Sequence, residues 1–174
     1  MIQDFMNREV TSDDLSFICN FPKDEIELYF MFPKAVFPLT IDQLKSSIDC
    51  RFDSTVILYN ETIIGFANFY EVFENKCCSI GNVIVNPLYR GRGVGAYLIN
   101  TMGKKAVCKY KVKEIHISCF NKNVTGLLLY CKLGYVPYDI EKRLDKKTIP
   151  VALIKLKKNV ENLSFENKHI ATKT

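Results

Sequence analysis

Three alternating glycines, Gly91, Gly93 and Gly95, separate an apolar run that ends at Val85 from a helical pattern. Glycine allows positive φ angles and lets a ligand approach the backbone without a Cβ in the way. The first N–H groups of a helix have no partner within it, and the helix dipole adds partial positive charge there. An ordinary corner would need one glycine rather than three, because glycine at a helix start costs stability. The segment therefore predicts a strand–turn–helix unit that binds an anion, most naturally a phosphate.

Hydrophobic periodicity around this turn predicts further strands and helices. Two β-rich runs, 55–59 and 62–70, are separated by Asn60 and Glu61, which favours a hairpin because Asn tolerates positive φ. Apolar residues at positions 94, 98, 102 and 106 recur at helical spacing. We predict strands at 55–59, 62–70, 78–85, 113–120, 135–138 and 149–156, and helices at 93–109 and 124–132.

The N-terminal third predicts three short helices. Ser12–Asp14 is placed to cap the first, Asp24 opens the second, and Thr40 is placed to cap the third. The apolar segment 32–39, which contains two prolines, lies between the second and third helices. We interpret this segment as a rigid loop and hypothesise that it forms a wall of a substrate pocket.

The chain length of 174 residues and a hydrophobic content of 48% suit one globular domain. We expect an α/β (α+β) fold with a mixed, mostly antiparallel central sheet of six or seven strands flanked by helices. The domain is predicted to cover residues 1–156, followed by a polar C-terminal tail over 157–174.

Composition excludes several classes of protein. No apolar run approaches the roughly 18 residues of a membrane span, and segment 1–10 is polar where a signal peptide is apolar. Seven cysteines without a C-x-x-C pair predict neither a disulfide framework nor a metal site. The net charge of +5 comes from lysine clusters that alternate with apolar residues, unlike a nucleic-acid surface. We therefore expect a cytoplasmic protein that binds no metal, nucleic acid or membrane.

Three kinds of phosphate site compete for the glycine turn. No Gly-Lys-Ser/Thr follows the glycines, which excludes a Walker loop. The pattern Gly91-x-Gly93-x-x-Ala96 approaches the dinucleotide fingerprint, but the approach segment 86–90 contains a proline and the next strand ends without an acidic residue. A nicotinamide-dependent oxidoreductase is therefore the weakest of the function classes that we consider.

Two motifs carry a third interpretation. Arg90-x-x-Gly93-x-Gly95 resembles the R/Q-x-x-G-x-G/A signature of the GNAT family of N-acetyltransferases. The segment 123–135 resembles the family's N-x-x-A-x-x-LY-x-K-x-GF block, with Gly126 in place of Ala and Tyr135 in place of Phe. The resemblance covers roughly residues 54–140. It implies a central pair of strands that part from each other and hold acetyl-coenzyme A.

The family resemblance also implies which residues bind the coenzyme. The turn would bind the pyrophosphate, and the preceding strand would pair with the pantetheine arm. The residues implied at the turn are Arg90, Gly91, Arg92, Gly93, Val94, Gly95 and Ala96. Those implied at the strand are Val83, Ile84 and Val85. Asn123 would cap the following helix, reach the pantetheine, or do both.

Tyr130 matches the position of the general acid that protonates the departing thiolate in this family. A phenol has a pKa near 10, close to that of a thiol, so the role is chemically reasonable. Spacing alone fits a core tyrosine equally well. We expect direct attack of a primary amine on the thioester, with no cysteine nucleophile, since no Cys is placed beside an activating His.

The general base is not evident, because segment 79–83 contains no carboxylate. We consider Glu71, Glu74, His116 and Asn82, the last through a bound water. The missing base keeps open an alternative class, a coenzyme-binding sensor without catalysis. The acceptor amine, on a small molecule or a protein, is not defined by the sequence. An exposed closing strand could pair across a homodimer.

Overall fold

The computed structural model describes residues 4–160, which build a seven-stranded sheet in the order β1-β2-β3-β4-β5-β7-β6. Neighbouring strands pair antiparallel except β4 and β5, which run parallel. The strands are β1 (Met6–Glu9), β2 (Phe52–Tyr59), β3 (Thr62–Phe73), β4 (Cys77–Val85), β5 (Glu114–Phe120), β6 (Val136–Leu144) and β7 (Pro150–Asn159). The helices are α1 (Leu15–Cys19), α2 (Glu25–Met31), α3 (Ile41–Asp49), α4 (Val94–Tyr110) and α5 (Val124–Lys132). The predicted fold class is confirmed.

Short polar side chains begin three of the helices. The Asp24 carboxylate accepts from the Glu27 N–H at 2.8 Å, and Thr40 Oγ1 accepts from the Gln43 N–H at 3.3 Å. Asn123 Oδ1 accepts from the Gly126 N–H at 3.0 Å. Each bond satisfies an N–H that the first helical turn leaves unpaired. The predicted positions of these three helix starts are confirmed.

The first predicted cap is correct in position but not in its bonding. Ser12–Asp14 form a short 3-10 turn, and Asp14 occupies the N-cap position of α1 without a side-chain hydrogen bond to the first helical turn. Asp14 is drawn inward, where its carboxylate accepts from the Thr11 N–H at 2.7 Å and pairs with Arg8. Arg8 belongs to β1, an edge strand that the sequence pattern does not predict because its four side chains are all exposed.

Strand alternation gives the sheet two different apolar faces. One face packs against α1, α2 and α3 through buried residues such as Val56, Phe66 and Ile84. The other packs against α4 through residues such as Ile57 and Ile80. The three N-terminal helices therefore cover one face of the sheet and α4 covers the other.

The last strand of the domain extends beyond the predicted boundary at 156. β7 continues to Asn159 because its backbone pairs with β5, with Lys157 opposite His116. Lys157 Nζ also donates to Glu114 at 2.8 Å, and Val160 is buried. The rest of the predicted tail, 161–174, lies outside the described residues.

Within residues 4–160, no helix combines the length and apolarity that crossing a membrane requires. The same range holds no cluster of three or more His, Cys, Asp or Glu residues suited to a metal ion. All seven cysteines are free thiols.

Candidate active site

The parallel pair β4 and β5 parts in the middle of the sheet. The two strands pair from Cys77 opposite Glu114 up to Ile80 opposite Ile117. Beyond that point, β4 pairs only with β3, and β5 pairs only with β7. One edge of each strand therefore faces a gap, where backbone groups can hydrogen bond to an extended ligand.

A β-bulge directs β4 away from β5 at this fork. Phe66 lies opposite Ile84 and Asn68 opposite Gly81, so β4 holds one residue more than β3 between these two pairs. Asn82 lies in the bulge with a φ of 52°, which Asn tolerates better than most residues. Its side chain is buried, and Nδ2 donates to Ser47 Oγ of α3 at 3.0 Å. Its Oδ1 is the one buried side-chain polar atom in the described range without a hydrogen-bond partner.

A cleft of about 830 Å³ opens at the fork. Four of the predicted site residues line it together: Asn82, Val83, Asn123 and Tyr130. Its walls come from residues 29–34 on one side and from the β6–β7 hairpin on the other. Of the apolar loop 32–39, residues 32–34 line this cleft and Phe37 does not.

Tyr130 lies on α5 with 6% of its surface exposed. Burial raises the pKa of its phenol far above the usual range, and the neighbouring Cys119 and Tyr135 act in the same direction. The phenol therefore stays protonated at neutral pH, and the residue lines the cleft.

Cys119 is unsuited to be a nucleophile. Its thiol is buried and lies 3.6 Å from the Asn123 carbonyl oxygen. Burial, with a smaller contribution from Cys131, raises its pKa to about 12. A thiol with that pKa holds almost no thiolate at neutral pH, which is the reactive form.

The glycine turn is open on its outer side. Gly91 and Gly93 have φ angles of 75° and 84°, and no described atom beyond the glycine and its two chain neighbours lies within 4 Å of the position that a Cβ would occupy at either residue. The first hydrogen bond of α4 runs from the Tyr97 N–H to the Gly93 carbonyl at 3.0 Å. The amides of residues 94–96 precede that bond, so the helix leaves them available to an anion.

The two arginines of the turn differ in their surroundings. Arg90 forms a bidentate ion pair with Glu27 of α2, and its Nε donates to the Val85 carbonyl at 3.1 Å. Arg92 is exposed and lies over the ring of Tyr89, with Cζ 5.4 Å from the centroid. The positive charge offered to a ligand at the rim is therefore that of Arg92, whereas Arg90 holds the turn against α2.

Gly95 has a packing role that the motif alone does not show. A Cβ on Gly95 would lie 3.0 Å from Leu129 Cδ2 of α5, so glycine allows α4 and α5 to approach closely. Ile84 and Val85 pack with the cores on opposite faces of the sheet. Their side chains do not line the cleft, which leaves their backbone groups to serve the predicted role.

Three of the four base candidates line the cleft, namely Glu71, His116 and Asn82. Glu71, Ser79 and His116 are opposite each other on β3, β4 and β5, and Ser79 Oγ donates to Glu71 at 3.3 Å. This row of three residues lies one position before Ile80 and Ile117, the last pair between β4 and β5. Glu71, Ser79 and His116 all line the cleft. Glu74 lies in the β3–β4 turn and does not line it.

Arg51 and Tyr138 also line the cleft, although neither is predicted from the sequence as a site residue. Arg51 follows the end of α3, and Tyr138 is exposed on β6 with its ring 5.3 Å from that of His116. Neither belongs to a motif. Tyr138 lies in a predicted strand, so strand alternation was the one signal that could have indicated on which side of the sheet its side chain lies.

Parted parallel strands beside an open helix start define a protein that holds an extended ligand with an anionic end. The model of the acetyltransferase (GNAT) family matches residues 20–135. The chain therefore belongs to the GNAT acetyltransferase family.

Solved structures share the fold. An N-acetyltransferase from Staphylococcus aureus Mu50 superposes with a TM-score of 0.69 at 18% identity, covering 91% of this chain and 99% of that one. The yncA protein from Salmonella typhimurium, solved with its cofactor acetyl-CoA, superposes with a TM-score of 0.69 at 14% identity, covering 95% and 99%.

A curated relative is similar in sequence over part of its length. The spermine/spermidine N(1)-acetyltransferase of Bacillus subtilis (strain 168) is 26% identical over 100 residues. The aligned region spans 53% of this chain and 65% of that enzyme, which is less than two thirds of the relative's length.

Proposed function

We propose that the protein transfers the acetyl group of acetyl-CoA to a primary amine. One observation carries the proposal: the parted strand β4 passes from the cleft, at Val83, to the open glycine turn at Gly91 and Gly93. A ligand anchored by its phosphates at that turn can follow β4 back into the cleft, where Tyr130 lies. Acetyl-CoA has this shape, because an extended pantetheine arm joins its pyrophosphate to its thioester.

The coenzyme would be held mainly by backbone groups. The amides of Gly91, Arg92, Gly93, Val94, Gly95 and Ala96 would bind the pyrophosphate, and the β4 backbone at Val83, Ile84 and Val85 would pair with the pantetheine. Asn123 can contribute while it caps α5, because its Oδ1 is used by the Gly126 N–H and its Nδ2 remains to donate. Arg90 would act by holding the turn rather than by contacting phosphate.

In the reaction, the neutral amine attacks the thioester carbonyl carbon of acetyl-CoA. A C–N bond forms and the C–S bond breaks, while the Val83 N–H stabilises the developing oxyanion. Tyr130 donates its proton to the departing thiolate and is then reprotonated from water, while the amine loses a proton to a polar residue or a water of the cleft. No acyl-enzyme forms, in agreement with the buried Cys119 thiol.

We propose that Asn82 and the neighbouring row of Glu71, Ser79 and His116 together remove the proton from the amine. The unpartnered Asn82 Oδ1 would orient the amine or a bound water, since a buried acceptor without a partner is costly. Glu71 and His116 lie at the cleft and could receive the proton.

The test is release of free thiol from acetyl-CoA with a panel of primary amines. The proposal expects release that depends on the amine and falls about 10²-fold in the Tyr130→Phe variant. The alternative of a sensor module, which the lack of a carboxylate in segment 79–83 favours, predicts coenzyme binding without release under any amine. Release at the wild-type rate in Tyr130→Phe would contradict the assignment of the acid.

The closing strand suggests a homodimer, which we propose to form through β6. This strand is an edge of the sheet, and it exposes Val136, Ile140 and Leu144. Light scattering on the wild type should give twice the chain mass, and Ile140→Lys should give the monomer mass. Ile26→Lys, at an exposed position on α2, is the matched control. A monomeric wild type would refute the proposal.

The free thiols suit a cytoplasmic location, which is part of the same proposal.

A further inference from the structure

Arg51 places a guanidinium group at the cleft beside neutral partners. Its Nη1 donates to Asn68 Oδ1 at 3.0 Å, and its Cζ lies 5.6 Å from the centroid of the Tyr70 ring. It also lies directly over Gly81, where an added Cβ would be 2.6 Å from Nη1. The side chain is thus fixed on the strand residue that precedes Asn82.

No carboxylate within the described residues forms an ion pair with Arg51. Burial is the main influence on its pKa, which it lowers. A half-buried cation without a counter-ion is unfavourable, and its remaining N–H donors have no partner among the described side chains. The guanidinium fork matches a carboxylate or a phosphoryl group in two parallel hydrogen bonds.

The charges around the cleft also favour an anionic ligand. Lining lysines and arginines outnumber lining acids by five to three: Lys34, Arg51, Arg143, Lys146 and Lys155 against Glu71, Glu141 and Asp145. Glu141 is already paired with Arg143 and Lys155, and Asp145 with Lys122. Glu71 is the one lining acid not paired with a lysine or arginine in the described part of the chain. A cleft of this charge disfavours a polycation.

We propose that the acceptor is a small amine that also carries an oxyanion, a carboxylate or a phosphonate, which Arg51 binds. This inference rests on the proposed acetyl transfer and narrows its substrate class. Arg51 lies over Gly81, and the Val83 amide lies two residues further, at most about 7 Å along the chain because the bulge at Asn82 shortens the path. A small amino acid with its hydrogen bonds can span that distance. Its amine then reaches the thioester beside Asn82.

The experiment compares matched acceptors. Thiol release is measured with glycine and β-alanine, each against its amide, and with aminomethylphosphonate and spermidine. We expect kcat/KM for the better oxyanion acceptor to exceed that of its amide and of spermidine at least tenfold. In Arg51→Gln this preference should collapse, while the rate with the amide and the Kd for acetyl-CoA stay within twofold. Arg51→Lys should restore part of the preference.

A second measurement separates this inference from the proposed function. Thermal unfolding with N-acetylglycine and N-acetylglycinamide reports binding of the carboxylate without turnover. The wild type should be stabilised by the acid alone, and Arg51→Gln should lose that shift, whereas Lys45→Gln on exposed α3 should keep it. Equal shifts with acid and amide, or a preference for spermidine, would overturn the inference even if acetyl transfer occurs. Failure of every amine to release thiol would refute the proposed function, and the acid-specific shift would still decide whether Arg51 binds a carboxylate.

Discussion

The guanidinium of Arg90 binds both carboxylate oxygens of Glu27, with Nη1–Oε1 and Nη2–Oε2 distances of 2.6 and 3.0 Å. Arg90 belongs to the glycine turn and Glu27 to α2, whose last residues line the cleft. The pair therefore joins the proposed phosphate site to one wall of the acceptor cleft, 63 residues apart in sequence.

Glu27→Gln should lower the free energy of unfolding by about 1 kcal/mol, because the pair is bidentate but partly exposed to solvent. Hydrogen bonds from Arg90 lower the pKa of the Glu27 carboxyl. The contribution is therefore present above the unfolded-state pKa of about 4.3 and is lost as pH falls through the lower folded-state value. Denaturant unfolding at pH 7 and pH 3 measures it, with the exposed Glu25→Gln as control. A loss of equal size at both pH values would contradict this account.

Tyr130→Phe should reduce kcat by about 10²-fold, because the thiolate then leaves without its acid. Fold and coenzyme affinity should be retained. Since the pKa of Tyr130 is raised, no alkaline fall in rate near neutral pH should come from this residue. Tyr135→Phe is the matched control, a buried tyrosine whose ring centroid lies 6.3 Å away and which does not line the cleft. Steady-state thiol release checks both variants. Comparable losses in the two would show that Tyr130 acts only through packing.

Asn82→Gly should lower kcat while keeping the bulge, because glycine adopts the φ of 52° without strain. The substitution removes the unpartnered Oδ1 proposed to orient the amine or a water. Ser47→Ala removes only the partner of Nδ2 and should have a smaller effect on kcat. Rates with saturating acetyl-CoA make the comparison. If the glycine variant keeps the wild-type kcat, Asn82 has no part in proton transfer.

Replacing Glu71 or His116 with Gln should lower kcat/KM if that residue receives the proton of the amine. Glu74→Gln, three residues after Glu71 but outside the cleft, should have no effect. Profiles of kcat/KM against pH distinguish a base, whose loss removes the acidic limb, from a residue that only shapes the cleft. An unchanged profile eliminates the residue concerned.

Local signals account for the parts of the fold that could be predicted from the sequence. The glycine turn, the hairpin at Asn60 and the helix starts at Thr40 and Asn123 each depend on residues close together in the chain. β1 could not be predicted, because an edge strand with four exposed side chains has no alternation. The extension of β7 to Asn159 depends on pairing with β5, which periodicity does not reveal.

The residues of the candidate site also fall into two groups, those that local motifs predict and those that depend on tertiary contacts. Tyr130, Asn123 and the glycines follow from motifs, whereas the partners of Arg90 and Arg51 depend on tertiary contacts. Glu27 meets Arg90 only because α2 packs beside the turn, and Arg51 meets Asn68 only because β2 pairs with β3. The packing role of Gly95 against Leu129 likewise requires α5 to be in place.

Thermal unfolding with acetyl-CoA, beside NADH and ATP, tests the central claim most directly. A ligand that binds only the folded state adds about 2.7 kcal/mol at a hundred times its Kd. We expect acetyl-CoA alone to stabilise the wild type. Gly93→Asp should abolish the shift, and Gly93→Asn should weaken it less, because both residues tolerate positive φ but only Asp repels phosphate. Stabilisation by NADH instead of acetyl-CoA, or an undiminished shift in Gly93→Asp, would contradict the account.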